Sequence, residues 1–550
     1  MNLEALTLYG SLQDSIKNLK NNTAIYYQGT KINFRKFGKL LDRTADILQN
    51  RLGIKENDVV LVAQPNIPDV LLLIYALNKI GAIVNLVHPF TPFNQIKAIM
   101  KQTKTKVAIL FEQRVAKEVD RYRDLADKIY VTRVEDYLPC FKKFIYHTFM
   151  NRKIRYKLGK WRGKFNGFKY WHDLKPTGKP VVEKKGTVND VSVLLHSGST
   201  TGDPKTICLC DRNFNFIANR GHEIVCGTAK DFEKKVFLSV LPSFHGFGFC
   251  MTMHCALSLG SGVALVPKYS AEECNKVINK NKVFVFCGVP TMFENLLKSE
   301  KFVNNKRLKH VRLCFCGGDT MSVSLKERFD AVLRKNGSDG QIFEGYGLTE
   351  SVAAIVVNRF DHNKPASLGY PLKDVEFRIV DENGKVLPPN EIGEITIRSG
   401  ATMVGYFNNP EATKAAVRDG WLYTGDLGHL DEDGYLFFDQ RKKRVVKVSG
   451  VGVFPTEVER LVQSVPGVEA VCAIEIPDAK LQHALKLFVV AKYFDEEGMR
   501  ESIMDTCRKY LIRWSVPKEI EFVKELPLTM LNKVDFRKLQ EEENARRGVK

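Results

Sequence analysis

Residues 193–205 read Val193-Leu194-Leu195-His196-Ser197-Gly198-Ser199-Thr200-Thr201-Gly202-Asp203-Pro204-Lys205. An apolar strand delivers the chain into a loop of glycines, hydroxyls and one lysine. Small residues let backbone N–H groups turn inward onto an anion, hydroxyls add donors, and Lys205 adds positive charge. That chemistry suits a triphosphate. A Walker A loop would need G-x-x-x-x-G-K-[ST]. Counted from Gly198, the second glycine comes one residue early, and Asp203-Pro204 separates it from Lys205. Pro204 has no N–H to offer a phosphate. A P-loop kinase or GTPase therefore fits poorly, and a plain surface turn would not account for the partners that follow.

Those partners lie downstream in a fixed order. Gly345-Tyr346-Gly347-Leu348-Thr349-Glu350 offers an aromatic ring for a purine, a hydroxyl donor in Thr349 and a hard oxygen ligand for Mg²⁺ in Glu350. Tyr423-Thr424-Gly425-Asp426 places a carboxylate after a turn, suited to two ribose hydroxyls, and Arg441 could hold the same ribose or a phosphate. Near the end, Lys533 is a lone cation in the otherwise apolar Leu526–Val534. Each alone could be a routine surface or core residue.

Around these motifs, short β-rich runs alternate with segments read as amphipathic helices. Val59–Ala63 precedes a helix over Asp69–Lys79, Val84–Val87 precedes one over Pro92–Gln102, and Val107–Phe111, Val191–Leu195, Val236–Leu241, Gly262–Val266, Val283–Phe286 and Val311–Phe315 continue the series. Strands this apolar need cover on both faces. The expected fold class is α/β: a large N-terminal region of packed α/β subdomains, residues 1–440, and a small hinged α+β domain, residues 441–550. The second unit begins at the charged run Asp439–Arg444. It should contain strands near Val445–Val448, Val468–Ile476 and Leu485–Ala491, with helices near Glu457–Ser464 and Glu501–Ile512.

The chain has 550 residues, 44% of them hydrophobic, with Gly 39 and Pro 21, which excludes a collagen-like or wholly disordered protein. Its 83 basic against 63 acidic residues give +20, favouring anionic partners without identifying one. The amino terminus lacks a secretory pattern. The run Val70–Leu77 falls short of the roughly 20 residues needed to cross a bilayer. Twelve cysteines lie mostly in apolar segments without a C-x-x-C pair, so reduced, buried, non-ligating thiols are expected. A cytoplasmic protein follows, with peripheral residence at the inner face of the membrane as an extension. Its basis is Phe141–Trp171, which carries ten Lys or Arg and no Asp or Glu, interleaved with aromatics. That stretch reads as a solvated excursion or as a patch resting on anionic membrane. Nucleic acid is not expected, since no recognised binding module surrounds it.

The ordered set resembles the adenylate-forming superfamily of acyl-CoA synthetases, luciferases and peptide-synthetase adenylation domains, and most of all the fatty acid–CoA ligases. HSGSTTGDPK is similar to its phosphate loop, FCGGD (315–319) and YGLTE to its adenine and magnesium motifs, and YTGD to its ribose motif. Residues 441–460 resemble the hinge and post-hinge motif, and 517–539 the catalytic-lysine motif. The resemblance implies ATP, Mg²⁺ and coenzyme A as cofactor or co-substrates. It places Ser197, Gly198, Ser199, Thr200, Thr201, Gly202 and Lys205 in the phosphate loop, and Gly317, Gly318, Asp319, Glu344, Gly345, Tyr346 and Gly347 at the nucleotide. Glu350 would bind Mg²⁺, Asp426 and Arg441 the ribose, and Lys533 the α-phosphate, with Thr349 assisting. Lys443 would be the hinge. Lys447, Ser449 and Gly450 would help form the thiol channel after the small domain rotates. Three positions depart from the pattern: Ser199 and Asn532 for glycine, and Phe536 for arginine.

His245 helps sort the branches. Amino-acid-activating relatives carry an aspartate there to meet the substrate's ammonium; histidine implies an acid without that amine. Phe247, Phe249, Met251, Met253 and Val352–Val357 suggest an apolar acyl pocket. With the basic-aromatic stretch, they favour a long-chain fatty acid over medium-chain or aromatic acids. A non-catalytic nucleotide-binding regulator is the alternative of another class. Oligomeric state is not legible.

Overall fold

The apolar run Val70–Leu77 lies inside a helix, Pro68–Lys79, that is buried along its whole length. It belongs to a computed structural model describing residues 2–154, 157–158, 168–196, 205–225, 228–449, 451–478, 480–492, 495–529 and 533–548. The amphipathic reading of this segment is corrected: Val-Leu-Leu-Leu-Ile-Tyr-Ala-Leu has no polar stripe, so the helix must be covered on every side. Its charged ends are paired within the protein. Lys79 Nζ donates to Asp42 at 2.7 Å and to Tyr9 at 3.0 Å. Asp69 accepts from the Tyr137 hydroxyl at 3.2 Å and pairs with His172 at 2.9 Å. Tyr75, mid-helix, meets the rings of Phe37 and Phe249.

Two large sheets share one continuous core with this helix. An eight-stranded sheet runs in the order Gly405–Tyr406, Thr206–Cys210, Val191–His196, Ile83–Leu86, Val59–Ala63, Val107–Phe111, Ile129–Thr132, Lys169–Tyr170. A nine-stranded sheet runs from Tyr370–Pro371 through Ala354–Val357, Gln341–Gly347, Leu313–Cys316, Val285–Gly288, Val236–Ser239 and Gly262–Leu265 to the N-terminal hairpin Thr23–Tyr27/Thr30–Asn33. Parallel pairing dominates the centres of both, and strands such as Val59–Ala63 are buried residue by residue. Covered faces explain their nearly unbroken apolar sequence. A five-stranded, antiparallel sheet, built on Trp421–Leu430, follows.

Residues 247–254, expected to line an apolar acyl pocket, form a π-type helix. Phe249 and Met253 are wholly buried, and the Phe249 ring packs 5.2 Å from Phe214, so these two belong to the core. Described cysteines are free, and all but Cys140 are buried; Cys140 is exposed, against expectation, because it opens a surface helix.

Past Arg444 the texture is smaller and richer in β-structure. Val468–Asp478, Gln482–Ala491 and Glu519–Phe522 form a three-stranded sheet, preceded by the hairpin Val446–Val448/Val451–Val453. Helix Glu496–Tyr510 begins five residues before the expected Glu501, with acidic Glu496 and Glu497 in its first turn, where they complement the helix dipole. The apolar clusters here draw only on residues from Val446 onward. Contact with the larger region is polar instead: Gln440 accepts from the Thr456 N–H at 3.2 Å, Arg460 reaches the Phe438 carbonyl, and Lys298 pairs with Glu469 at 3.3 Å. No helix among the described residues is long and apolar enough to cross a membrane.

Candidate active site

In the nine-stranded sheet, two neighbouring parallel strands end at the same edge, where open α/β sheets bind ligands. Leu313–Cys316 runs into Gly317-Gly318-Asp319, and Gln341–Gly347 runs into the short turn Thr349–Ser351. Gly318 has φ +81° and faces Lys533; a Cβ there would lie 3.1 Å from the lysine Nζ. The small C-terminal unit thus reaches across and puts its lysine against the FCGGD loop. Lys533 is held by Thr529, whose N–H donates to the Lys533 carbonyl at 2.7 Å and whose hydroxyl oxygen accepts from the Lys533 N–H at 3.2 Å. Thr529 lies in the Leu526–Val534 segment, where the sequence alone assigns it no task.

Burial lowers the Lys533 pKa from its ordinary value, the carboxylates of Asp319 and Asp426 oppose that shift, and Arg441 adds to it. His245 is close enough to feel the same charge. Burial and Lys533 together push its imidazole down to about 3, so it stands neutral at physiological pH. Its Nδ1 accepts from the Phe247 N–H at 3.3 Å, which turns the other ring nitrogen away from the helix. Gly246 follows because a Cβ would collide with the carbonyl of Val352, just beyond Glu350. The His245 and Glu350 segments are locked together by that close approach.

A second cluster gathers Tyr346, Asp426 and Arg441. Asp426 and Arg441 are cross-strand partners, with Arg441 Nε 3.6 Å from Asp426 Oδ1. The Tyr346 hydroxyl donates to Asp426 Oδ2 at 2.8 Å. Burial raises the Asp426 pKa, while Arg441 and the Tyr346 bond restrain it. Tyr346 therefore holds the carboxylate in place. Beside it, Glu344 is buried, and burial pushes its carboxyl up to about 7 against the pull of Lys326 and Arg460.

The third cluster joins Glu350 to Lys205. Glu350 Oε1 accepts from the Tyr406 hydroxyl at 3.0 Å, and Lys205 Nζ lies 4.4 Å from the centre of the Tyr406 ring. Tyr406 was missed; its only local signal is a lone tyrosine in Gly405-Tyr406-Phe407. His196 was missed too. Its Nε2–H donates to Asn85 Oδ1 at 2.7 Å and its Nδ1 accepts from Thr206 at 3.2 Å, tying the end of strand Val191–His196 to its neighbour Ile83–Leu86 and to the start of strand Thr206–Cys210. Burial takes its pKa down to about 4, consistent with a neutral ring making both bonds. Ser197, Gly198, Ser199, Thr200, Thr201, Gly202, Gly450 and Asn532 lie outside the described residues.

The family profile described as AMP-binding enzyme matches residues 12–407, and that of the AMP-binding enzyme C-terminal domain matches 457–533. The chain belongs to the AMP-binding enzyme family. With it come ATP-dependent activation of an acid and transfer of the acyl group to coenzyme A, the general chemistry of the adenylate-forming superfamily. Among curated relatives, the long-chain-fatty-acid–CoA ligase of Bacillus subtilis (strain 168) is 30% identical over 99% of this chain and 96% of its own. Among solved structures, an anthranilate CoA ligase in complex with anthranoyl-AMP superposes with TM-score 0.82 at 23% identity, covering 100% of this chain and 99% of that one. ATP-bound MatB from Rhodopseudomonas palustris gives 0.80 at 22%, covering 100% of both chains.

In this AMP-binding enzyme, the structure does not bring Lys447 and Ser449 to Lys533. Both are exposed on the hairpin Val446–Val453, where the Ser449 N–H donates to the Leu481 carbonyl at 3.0 Å. Lys443 sits in the middle of the 3₁₀ turn Lys442–Arg444 that leads into this hairpin. Phe536 finds a purpose of its own: its ring lies 4.5 Å from the guanidinium of Arg444, which is ion-paired with Glu459 at 2.5 Å. An arginine at 536 would set a second guanidinium against Arg444.

Proposed function

We propose that this AMP-binding enzyme activates a long-chain fatty acid: its carboxylate attacks the α-phosphate of ATP, releasing pyrophosphate, and the acyl-adenylate then passes its acyl group to the thiol of coenzyme A with loss of AMP. The observation that carries the substrate reading is the near full-length relation to the Bacillus subtilis long-chain ligase. Neutral His245, where an aspartate would suit an ammonium-bearing acid, supports it.

In this reading Lys533 meets the negative charge that gathers between carboxylate and α-phosphate, and Thr349 adds a hydroxyl donor. Asp426, held by Tyr346, accepts from the ribose hydroxyls, and Arg441 balances its charge. The oxygen chemistry of Glu350 fits Mg²⁺. No group of three or more His, Cys, Asp or Glu among the described residues could hold a metal, so Glu350 would share the ion with phosphate oxygens and water. Bound there, the ion would neutralise phosphate charge. After adenylation, residues 441–550 turn about Lys443; Lys533 withdraws, and Lys447, Ser449 and Gly450 approach the thiol.

The test incubates the protein with MgATP, coenzyme A and acids from C2 to C18, plus benzoate and cinnamate, following AMP and acyl-CoA by mass. Turnover should peak between C12 and C18. Lys533→Ala should lose about 10²–10³ in adenylation rate. A peak on benzoate, cinnamate or short acids would overturn the long-chain reading. Pyrophosphate release untouched by Lys533→Ala would overturn the role of the lysine.

A further inference from the structure

The segment that follows Pro139 is helical, first as Cys140–Ile145 and then as a π-type turn, Tyr146–Met150. Its inner side is bonded to the body of the protein. Lys142 Nζ donates to the Gln28 carbonyl at 2.8 Å, His147 Nδ1 meets Glu135 at 2.8 Å, and just past the turn Asn151 donates to buried Glu112 at 3.0 Å. The helix is therefore a fixed part of the surface.

Its outer side is apolar where a surface helix should be polar. Phe141, Phe144 and Phe149 are 76%, 65% and 72% exposed, and Ile145 is exposed between them. Positions i, i+3, i+4 and i+8 fall on one side of a helix. Single exposed apolar residues need no explanation, but a contiguous aromatic stripe on an ordered helix marks an interaction surface. The charge within the segment has one sign: no Asp or Glu occurs between 141 and 171, and Arg152, Lys153 and Lys157, which follow the stripe in sequence, are exposed, whereas the acidic neighbours Glu135 and Asp136 have almost wholly buried side chains, paired with His147 and Lys143. An apolar stripe accompanied by exposed cations matches a surface that is apolar beneath and anionic on top, since rings insert below the head groups while lysine and arginine stay among them.

We infer that helix 140–150 is a docking surface for anionic lipid bilayer, with Phe141, Phe144 and Phe149 as the inserting side chains and Arg152, Lys153 and Lys157 as the head-group contacts. The surface shares no residue with the Lys533 site and does not depend on which acid is activated. It would hold the enzyme where water-insoluble acids collect.

The experiment is co-flotation of the full chain with vesicles of 30% phosphatidylglycerol in phosphatidylcholine, and with pure phosphatidylcholine vesicles, without ATP or acid. Binding should require phosphatidylglycerol and weaken as salt rises from 50 to 500 mM. The triple variant Phe141→Ser/Phe144→Ser/Phe149→Ser should lose at least about tenfold in partitioning. Arg152→Glu/Lys153→Glu/Lys157→Glu should lose at least about tenfold on the anionic vesicles. Phe144→Trp should gain an emission component quenched by brominated lipid, a readout that leaves the surface apolar. Circular dichroism and pyrophosphate release with water-soluble octanoate establish that the variants fold. Equal flotation of wild type and the triple serine variant, or equal binding to neutral and anionic vesicles, would overturn the inference. So would a Phe-dependent dimer seen by light scattering in place of vesicle binding, because the stripe would then serve a second copy. None of these outcomes touches the choice of acyl substrate.

Discussion

Removing one oxygen atom, by Tyr346→Phe, should weaken nucleotide binding without slowing the chemical step. The Tyr346 hydroxyl donates to Asp426 Oδ2 at 2.8 Å, and Asp426 is only 4% exposed, so water cannot easily take its place. What remains is Arg441, 3.6 Å from the other carboxylate oxygen and half in solvent. A hydrogen bond to a charged group is worth about 1.5–3 kcal/mol, which corresponds to about 10- to 150-fold in affinity. The ribose contact proposed for Asp426 would be the same in ground state and transition state, so the loss should belong to binding. The Kd for AMP by calorimetry should rise by that factor, while kcat in ATP–pyrophosphate exchange at saturating ATP stays within about twofold. Burial already raises the Asp426 pKa, and the tyrosine bond restrains the rise. Its removal should therefore weaken AMP binding more at pH 6 than at pH 8, because in the proposed site the ribose hydroxyls would donate to the ionised carboxylate. An unchanged Kd at both pH values, or a fall in kcat with Kd intact, would refute the positioning role.

Two further outcomes follow from the same geometry. Tyr406→Phe takes away the donor to Glu350 Oε1 and should raise the half-saturating Mg²⁺ concentration about tenfold, with a smaller effect on ATP at saturating Mg²⁺; an equal loss at all Mg²⁺ concentrations would contradict it. Glu344→Gln addresses stability. The folded-state pKa of Glu344 is raised to about 7, so its contribution is intact below its unfolded value near 4.5 and is lost as pH rises through 7, by about 3 kcal/mol in all. The glutamine variant should melt above wild type at pH 8.5, with the gap closing by pH 5; a gap independent of pH would show that burial of the charge is not the cause.

The motifs were legible because each is local. A strand, a glycine-hydroxyl turn and a lysine within thirteen residues, or a tyrosine and a glutamate four apart, are set by backbone needs and side-chain chemistry that neighbours in sequence can supply. Strand positions were legible for a related reason: Val107–Phe111 and Val191–His196 are apolar enough that only a doubly covered sheet accommodates them. The helix Pro68–Lys79 was located but misjudged, because periodicity reports one buried face and this helix has cover all round. An apolar run such as Phe247–Met253 does not by itself say which side chains face a pocket and which the core; here it coils, and Phe249 and Met253 turn into the core.

What no window of sequence contained was adjacency. Tyr346 meets Asp426 across 80 residues, Glu350 meets Tyr406 across 56, and His196 meets Asn85 across 111. Each pair depends on strand order: Ile83–Leu86 beside Val191–His196 sets Asn85 against His196, and Gly405–Tyr406 at the edge of the same sheet carries Tyr406 to Glu350. The pKa values of His245, Glu344 and Asp426 are likewise products of enclosure, which exists only when distant segments close around them. The sequence alone determined which chemical groups this enzyme carries and the order in which they occur. The tertiary structure decided which of them touch, and therefore which are charged and held still, because desolvation and hydrogen-bond geometry arise between segments that the chain itself keeps far apart.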